Sequence, residues 1–123
     1  MTHLYLRITG IPYGKDKRRG NIKAPAEWTN DVKRQTKDLP KVKNACILKV
    51  TFLLPADKYP KDLPFGSDLD NLLKRFLDAL NSTIFSETIG GDSCVVSMFV
   101  SKTKVASANE AGALLEVLPV TVA

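Results

Sequence analysis

The 123-residue chain contains 44% hydrophobic and 25% charged residues, which is ordinary for one small globular domain. No stretch approaches the ~20 apolar residues that a membrane helix needs, and the first residues lack the pattern of a signal peptide. We therefore expect a cytoplasmic protein with no membrane partner, in which Cys46 and Cys94 are reduced, buried thiols. The single histidine, His3, is too isolated for a zinc site, so any metal is expected to have oxygen ligands.

Positive charge is concentrated in the first part of the chain. The net charge is +5, and residues 1–50 hold 12 of the 18 basic residues but only 4 of the 13 acidic ones. That half is typical of proteins that bind polyanions, of which nucleic acid is the commonest. A well-solvated surface explains the same composition equally well. The second half of the chain has a net negative charge, which favours a protein whose polyanion-binding residues and catalytic residues lie in different segments.

The predicted elements alternate between strands and helices. Period-two alternation of apolar residues predicts strands, and spacing near 3.6 residues predicts helices. In chain order we predict a strand over 3–9, a helix over about 26–38, a strand over 45–54, a helix over 68–80, and strands over 94–102 and 113–122. Pro119 places the last strand at an edge of the sheet or ends it early. This order predicts an α/β fold, one domain over residues 1–123 with a mixed sheet of about four strands packed on two helices.

The first predicted helix and the connecting segments carry further expectations. Pro25 is suited to begin the helix, with Trp28, Val32 and either Gln35 or Thr36 facing inward. Glycine and proline mark three loops, at residues 10–25, 55–67 and 81–93. In the second loop, Tyr59 and Phe65 are interpreted as core or dimer contacts, with stacking on opened bases as the alternative.

Acidic residues mark the start of the second predicted helix. Ser67 followed by Asp70 has the spacing of a capping box, and Asp70 and Lys74 have that of a routine ion pair, so a helix start alone explains them. Asp68 and Asp70, however, both stand where a loop meets the helix, and two such carboxylates repel unless a cation or proton intervenes. Asp92 follows two glycines directly before a strand, a position common for catalytic residues. Carboxylates such as these three are the usual kind of protein ligand for Mg²⁺, which keeps several waters of its own.

Such a cluster is suited to cutting a phosphodiester bond. A metal neutralises the phosphate and lowers the pKa of a bound water, which attacks phosphorus in line. Lys74 is expected to neutralise developing charge or to hold a phosphate oxygen. Asp78 extends the same polar face and is expected to be solvated. Glu87 is a fourth acid, ranked below Asp92 because nothing fixes its direction.

A basic surface for DNA is predicted in the loop after the first strand. The expected backbone contacts are Lys15, Lys17, Arg18, Arg19 and Lys23. A mobile, solvated loop is the alternative. Three basic residues of the next helix are interpreted as surface charges, namely Lys33, Arg34 and Lys37. Phosphate contacts position DNA without reading its sequence, so no preferred cutting site is predicted.

The string Asp68-Leu69-Asp70-Asn71-x-x-Lys74, which opens a helix ending Leu77-Asp78-Ala79-Leu80, resembles the core motif of RusA-type Holliday junction resolvases. Asp92-Ser93-Cys94-Val95 is similar to the downstream acidic site of that family. The early segment from Gly10 to Arg19 resembles its proline loop with following basic residues. The similarity extends roughly from Leu4 to Lys102.

This resemblance implies a metal-dependent, structure-selective endodeoxyribonuclease that resolves four-way DNA junctions by paired, symmetric nicks. It further implies a homodimer and a requirement for Mg²⁺ or Mn²⁺. Asp68, Asp70 and Asp92 match the metal-binding acids of the family, and Lys74 matches its essential lysine, so all four are expected to be catalytic. A four-way junction presents two equivalent strands, which suits a two-fold protein.

Two other functions remain open at this point. The first is a non-catalytic DNA-binding dimer that keeps the fold, and the second is a protein–protein interaction domain in which the acids only cap a helix. Asp68, Asp70 and Lys74 together favour the enzyme, because adjacent carboxylates repel DNA unless a metal is bound.

Overall fold

Alternating apolar side chains build four strands that form one mixed sheet. The computed structural model describes residues 3–14, 23–56 and 67–120. The strands are β1 (Leu4–Thr9), β2 (Cys46–Pro55), β3 (Val95–Val105) and β4 (Gly112–Pro119). Their order in the sheet is β1-β4-β2-β3, in which β4 pairs antiparallel with β1 and β2, and β3 pairs parallel with β2. The predicted α/β fold, a mixed sheet of four strands with two helices, is confirmed.

The helix α1 (Ala24–Thr36) begins one residue before Pro25, which was predicted to start it, and buries one stripe of side chains. Trp28, Val32 and Thr36 are buried, as predicted for that stripe. The buried Thr36 hydroxyl lies 2.7 Å from the carbonyl oxygen of Val32, to which it donates, and 2.8 Å from the hydroxyl of Thr83. Burial of the Thr36 hydroxyl therefore costs little folding free energy, because the group is hydrogen-bonded. Gln35 instead bonds β1, where its amide accepts from Thr9 N at 2.9 Å and donates to Thr9 O at 2.8 Å.

The helix α2 (Leu69–Leu80) connects β2 to β3 and joins the sheet to α1. Two parallel neighbouring strands need such a crossover, because the chain must return to the end of the sheet at which the first strand began, and a tight turn joins only antiparallel strands. The Phe76 ring packs edge-on against Phe52 of β2 with 5.5 Å between ring centroids. On its other side the same ring stacks on Trp28 of α1, with centroids 6.3 Å apart. These three rings are buried and form the centre of the core.

Pro119 ends β4 and does not place that strand at an edge. The strand β4 lies between β1 and β2, so the edge alternative is wrong. Proline has no N–H to donate, which is tolerated at the last position of a strand. The next residue still pairs with the chain before β2, since Val120 N donates to Ala45 O at 3.0 Å.

The connection after α2 contributes to the core, although the sequence predicted only a turn-rich loop. Thr83, Ile84 and Phe85 are buried there, and Val42 N donates to Ile84 O at 2.8 Å. The connection ends in a short 3-10 helix over Gly91–Cys94. Its apolar residues show no helix or strand period, so the sequence pattern did not reveal their burial.

The two cysteines differ in burial. Cys46 is fully buried, as predicted, whereas Cys94 is only half-buried at the start of the edge strand β3. Neither thiol forms a disulfide bond. Within the described part of the chain, no helix combines the length and apolar character needed to cross a membrane.

Candidate active site

The start of α2 presents two exposed carboxylates. Asp68 is the N-cap residue in an extended conformation, and its side chain makes no capping hydrogen bond. One oxygen of Asp70 accepts from the backbone N–H of Asn71 at 2.9 Å. The capping box predicted from Ser67 and Asp70 therefore does not form, because Asp68 occupies the N-cap position. Both carboxylates keep oxygens available to a ligand.

Lys74 lies one helical turn beyond Asp70 and is exposed. The spacing predicted an ion pair between these two residues. In the described structure their charged groups do not come within 4.0 Å of each other, and neither joins any other ion pair there. Lys74 thus does not pair with the acid that was expected to bind it, and it lines a groove between α1 and α2.

Two distant segments converge on the residue before Asp68. Lys102 of β3 donates from Nζ to the carbonyl oxygen of Ser67 at 2.7 Å. Gly14, from the loop after β1, is buried against the same place, and a Cβ built on it would lie 3.2 Å from Cβ of Ser67 and 3.4 Å from Cβ of Asn71. A side chain at position 14 would therefore be in tight contact with Ser67 and would require a small shift of one of the two segments.

Most of the predicted DNA-binding loop lies outside the described residues, which end at Gly14 and resume at Lys23. Lys15, Lys17, Arg18 and Arg19 lie outside the described residues, as do Tyr59 and Phe65. Lys23 is exposed at the N-cap of α1. Gly14 itself, the last described residue before this segment, lies against Ser67 and Asn71, which flank the two acids in the sequence.

Asp92 lies at the opposite end of α2, beside the C-cap residue Asn81. The Asn81 amide donates to a carboxylate oxygen of Asp92 at 3.1 Å and accepts from the backbone N–H of Asp92 at 2.9 Å. Gly91 makes this possible, because its φ of +59° suits glycine and a Cβ there would lie 2.8 Å from Oδ1 of Asn81. The orientation of Asp92 is therefore set by two hydrogen bonds to the end of the helix.

The length of α2 separates the acids within one chain. Its 12 residues span ~18 Å at the ~1.5 Å rise of an α-helix. Among the described residues, no three histidine, cysteine, aspartate or glutamate side chains lie close enough to share a metal ion. The fold thus brings Asp68, Asp70 and Lys74 to one end of the helix and leaves Asp92 at the other.

The remaining acids near α2 have other surroundings. Glu87 lies 3.7 Å from Nζ of Lys43 on the surface, in the connection that follows α2. Asp78 lines the groove between the helices together with Lys74. The exposed pair at the helix start remains the arrangement best suited to a divalent cation, because Mg²⁺ commonly takes one or two protein carboxylates and keeps several waters.

The family is decided by comparison with known sequences. The family model for endodeoxyribonuclease RusA matches residues 21–117 of the 123-residue chain. The chain belongs to the RusA family. A comparison with the curated proteins found no significant match.

Membership of the RusA family identifies the chain as an endodeoxyribonuclease of the kind that resolves Holliday junctions. The matched range contains Asp68, Asp70, Lys74 and Asp92, but not the basic residues that precede position 21. Sequence reasoning found Asp68 and Asp70 through their spacing at a helix start, and Asp92 through its position between two glycines and a strand. It missed Lys102 and Asn81, whose roles depend on contacts between segments far apart in the chain.

Proposed function

We propose that this RusA-family protein is a Mg²⁺-dependent endonuclease, able to use Mn²⁺, that cuts four-way DNA junctions as a cytoplasmic homodimer. The observation that carries the proposal is the exposed pair Asp68 and Asp70 at the start of α2. The Asp68 side chain makes no capping hydrogen bond, one Asp70 oxygen accepts from the backbone N–H of Asn71, and neither carboxylate joins an ion pair within the described structure. A helix cap alone does not explain two exposed acids of which only one oxygen, on Asp70, bonds the helix start.

The residues at this end of α2 have different roles in the proposed reaction. Asp68 and Asp70 are the ligands for the cation. When bound, Mg²⁺ supplies positive charge against the phosphate and lowers the pKa of a coordinated water. Lys74, on the same side of the helix as Asp70, binds a phosphate oxygen and stabilises the charge that develops there. Lys102 holds the loop before Asp68 through the carbonyl of Ser67 and thereby positions the pair.

Asp92 supports the homodimer in particular. It lies ~18 Å along α2 from the pair at the helix start, so within one chain it cannot share their metal. A second copy of the chain related by a two-fold axis can bring its own Asp92 to this pair. Each site would then draw Asp68, Asp70 and Lys74 from one chain and Asp92 from its partner.

The edge strand β3 offers a route to this arrangement. It begins three residues after Asp92, and further along, Lys102 bonds the loop that precedes Asp68. Two copies of β3 paired antiparallel about a centre near Ser97 would therefore place Asp92 of each chain close to Lys102 of the other. A free edge strand is a natural template for such pairing.

Exposed apolar side chains on β3 support a dimer in which a partner chain covers this edge of the sheet. Val96, Met98 and Phe99 are exposed, whereas no residue of this strand is buried. Met98 stands beside Leu48 and Phe99 beside Lys49 in the register with β2, so the exposed groups lie on both faces of the sheet. A second copy of the chain would remove them from water.

Cleavage of a labelled synthetic four-way junction tests the proposed activity. We expect paired nicks on the junction but not on a linear duplex, dependent on Mg²⁺ and abolished by EDTA. Asp70→Asn should lower cleavage by at least ~100-fold while junction binding is retained or strengthened, because a negative charge facing phosphate is removed. Asp38→Asn, which makes the same change at an exposed acid outside the site, should cut like the wild type.

Two results would contradict the proposal. Junction binding by the wild type without nicks in Mg²⁺ or Mn²⁺ would indicate a non-catalytic DNA-binding dimer. Loss of folding or of junction binding in Asp70→Asn, with Asp38→Asn unaffected, would assign Asp70 a structural role instead of a catalytic one.

A further inference from the structure

A basic groove runs between α1 and α2. It has a volume of about 350 Å³ and opens to the surface. Its lining residues are Thr29, Lys33, Asn71, Lys74, Arg75, Asp78 and Ala79. Three of these side chains are cationic and one is anionic, so the groove has a net positive charge. Sequence reasoning had interpreted Lys33 as a surface charge, because nothing in the pattern showed that it faces α2.

The cations of the groove have no anionic partner in the described structure. No carboxylate lies within 4.0 Å of the charged group of Lys33, Lys74 or Arg75 there, and this includes Asp78 in the same groove. Among the described residues, the Nε atom of Arg75 is buried and has no hydrogen-bond acceptor. Arg75 is half-buried as a whole, so its guanidinium still offers charged N–H donors to an anion that enters the groove.

The position of the groove suggests which anion that is. It begins at Asn71, the residue after Asp70, and continues along α2 through Arg75. Arg75 lies five residues beyond Asp70, ~7.5 Å along the helix axis. A DNA strand whose scissile phosphate lies at Asp70 would therefore carry a neighbouring phosphate over the groove.

We infer that the groove between α1 and α2 binds a backbone phosphate of the DNA strand that is cut, next to the scissile phosphate. Lys33 and Arg75 are its charged ligands, and Thr29 and Asn71 offer neutral donors. The guanidinium of Arg75 suits a phosphate because its parallel N–H groups match two phosphate oxygens. This inference rests on the proposed function, since it takes the acids at the start of α2 as the site of cutting.

Salt dependence of junction binding provides the first test. Fluorescence anisotropy with a labelled four-way junction in EDTA measures Kd between 50 and 200 mM salt. We expect Lys33→Gln and Arg75→Gln each to weaken binding and to reduce the slope of log Kd against log salt by ~0.9 for each phosphate that is no longer neutralised. Lys37→Gln, which removes the same charge from an exposed position just after α1, should keep the wild-type slope.

A chemical substitution on the DNA provides the second test. Junctions are prepared with one neutral methylphosphonate at each position within three nucleotides of the cut. At one of these positions the substitution should weaken binding of the wild type and of Lys37→Gln, but have little further effect on Lys33→Gln or Arg75→Gln. If Arg75→Gln fails to fold, Lys33→Gln alone carries the comparison.

The outcomes separate this inference from the proposed function. If the wild type cuts the junction but both groove variants keep the wild-type salt slope, the groove is not a phosphate site and the proposed nuclease activity stands. The same conclusion follows if the wild type cuts but no methylphosphonate position has a smaller effect on the groove variants than on the wild type. A wild type that neither binds nor cuts the junction would overturn both.

Discussion

At the scale of single residues, Asn81 sets the orientation of Asp92. Its side-chain amide both donates to the carboxylate and accepts from the backbone N–H of Asp92, at 3.1 and 2.9 Å. A carboxylate held by such a reciprocal pair has lost much of its rotational freedom before any ligand arrives. Gly91 permits the close approach, since a side chain there would meet Asn81. Asp92 is therefore held in place even though, among the described residues, it belongs to no group of three possible metal ligands.

Cys46 is the residue whose titration should be visible in the stability of the protein. Burial at the start of β2 raises the pKa of its thiol from 9.0 to about 12, with a smaller contribution from the neighbouring Cys94. The unfolded chain therefore releases this proton near pH 9, while the folded protein keeps it until about pH 12. The contribution to stability is fully present below pH 9 and is lost as the pH rises from there towards 12.

We predict that Cys46→Ala makes the unfolding free energy less dependent on pH in the alkaline range. Urea unfolding at pH 8 and at pH 10 should show a larger loss of stability in the wild type than in the variant, by up to ~1.4 kcal/mol per pH unit. Other alkaline titrations are common to both chains and cancel in the difference. Equal losses in the two chains would contradict a buried, protonated thiol.

At the scale of elements, β3 differs from the other three strands. All three of the others contribute buried side chains, whereas β3 has none and pairs only with β2 among the described strands. Within one chain, the contacts of β3 leave its apolar side chains Val96, Met98 and Phe99 exposed to water. An edge with this composition is expected either to aggregate or to be covered by a partner.

Phe99→Lys should disrupt the proposed dimer by placing a charge on this edge. The matched control is Tyr5→Lys on β1, the opposite edge of the sheet, because Tyr5 is 67% exposed and Phe99 is 61% exposed. Sedimentation equilibrium should show at least a ~10-fold weaker dimer for Phe99→Lys, equivalent to ~1.4 kcal/mol, with Tyr5→Lys unchanged. The opposite pattern would move the dimer contact to β1, and two unchanged variants would exclude both edges.

At the scale of the whole molecule, the ~18 Å span of α2 determines how many chains make one site. Two inactive variants can reveal this by complementation. Asp70→Asn and Asp92→Asn should each abolish nicking as homodimers. If each site takes Asp92 from the partner, a mixed dimer of the two variants contains one fully intact site.

An equal mixture of the two variants, unfolded together and refolded, should therefore recover about a quarter of the wild-type nicking rate. The readout is a single nick on a labelled strand, because one intact site cannot make paired nicks. A mixture of Asp70→Asn with Asp68→Asn is the matched control and should recover nothing, since those residues lie in the same part of each site. No recovery from the first mixture would show that Asp92 does not serve the partner chain.

Much of this protein follows from its sequence because the relevant signals are local. Alternation and helical spacing predicted all four strands and both helices, and Pro25 marked the start of α1. Asp68 and Asp70 stood out because they are neighbours on the chain at a helix start. Local spacing also over-predicted, since it indicated a Ser67 capping box and an Asp70–Lys74 ion pair that the structure does not form.

The tertiary structure alone decided the relations between distant segments. Strand order depends on which apolar faces can be buried together, so only the folded sheet shows that β4 is internal and β3 is an edge. The bond from Lys102 to Ser67 joins residues 35 positions apart, and the groove needs α1 and α2 to pack side by side. The separation of Asp92 from the other acids has the same origin, because a helix of fixed rise holds its two ends apart whatever chemistry they share.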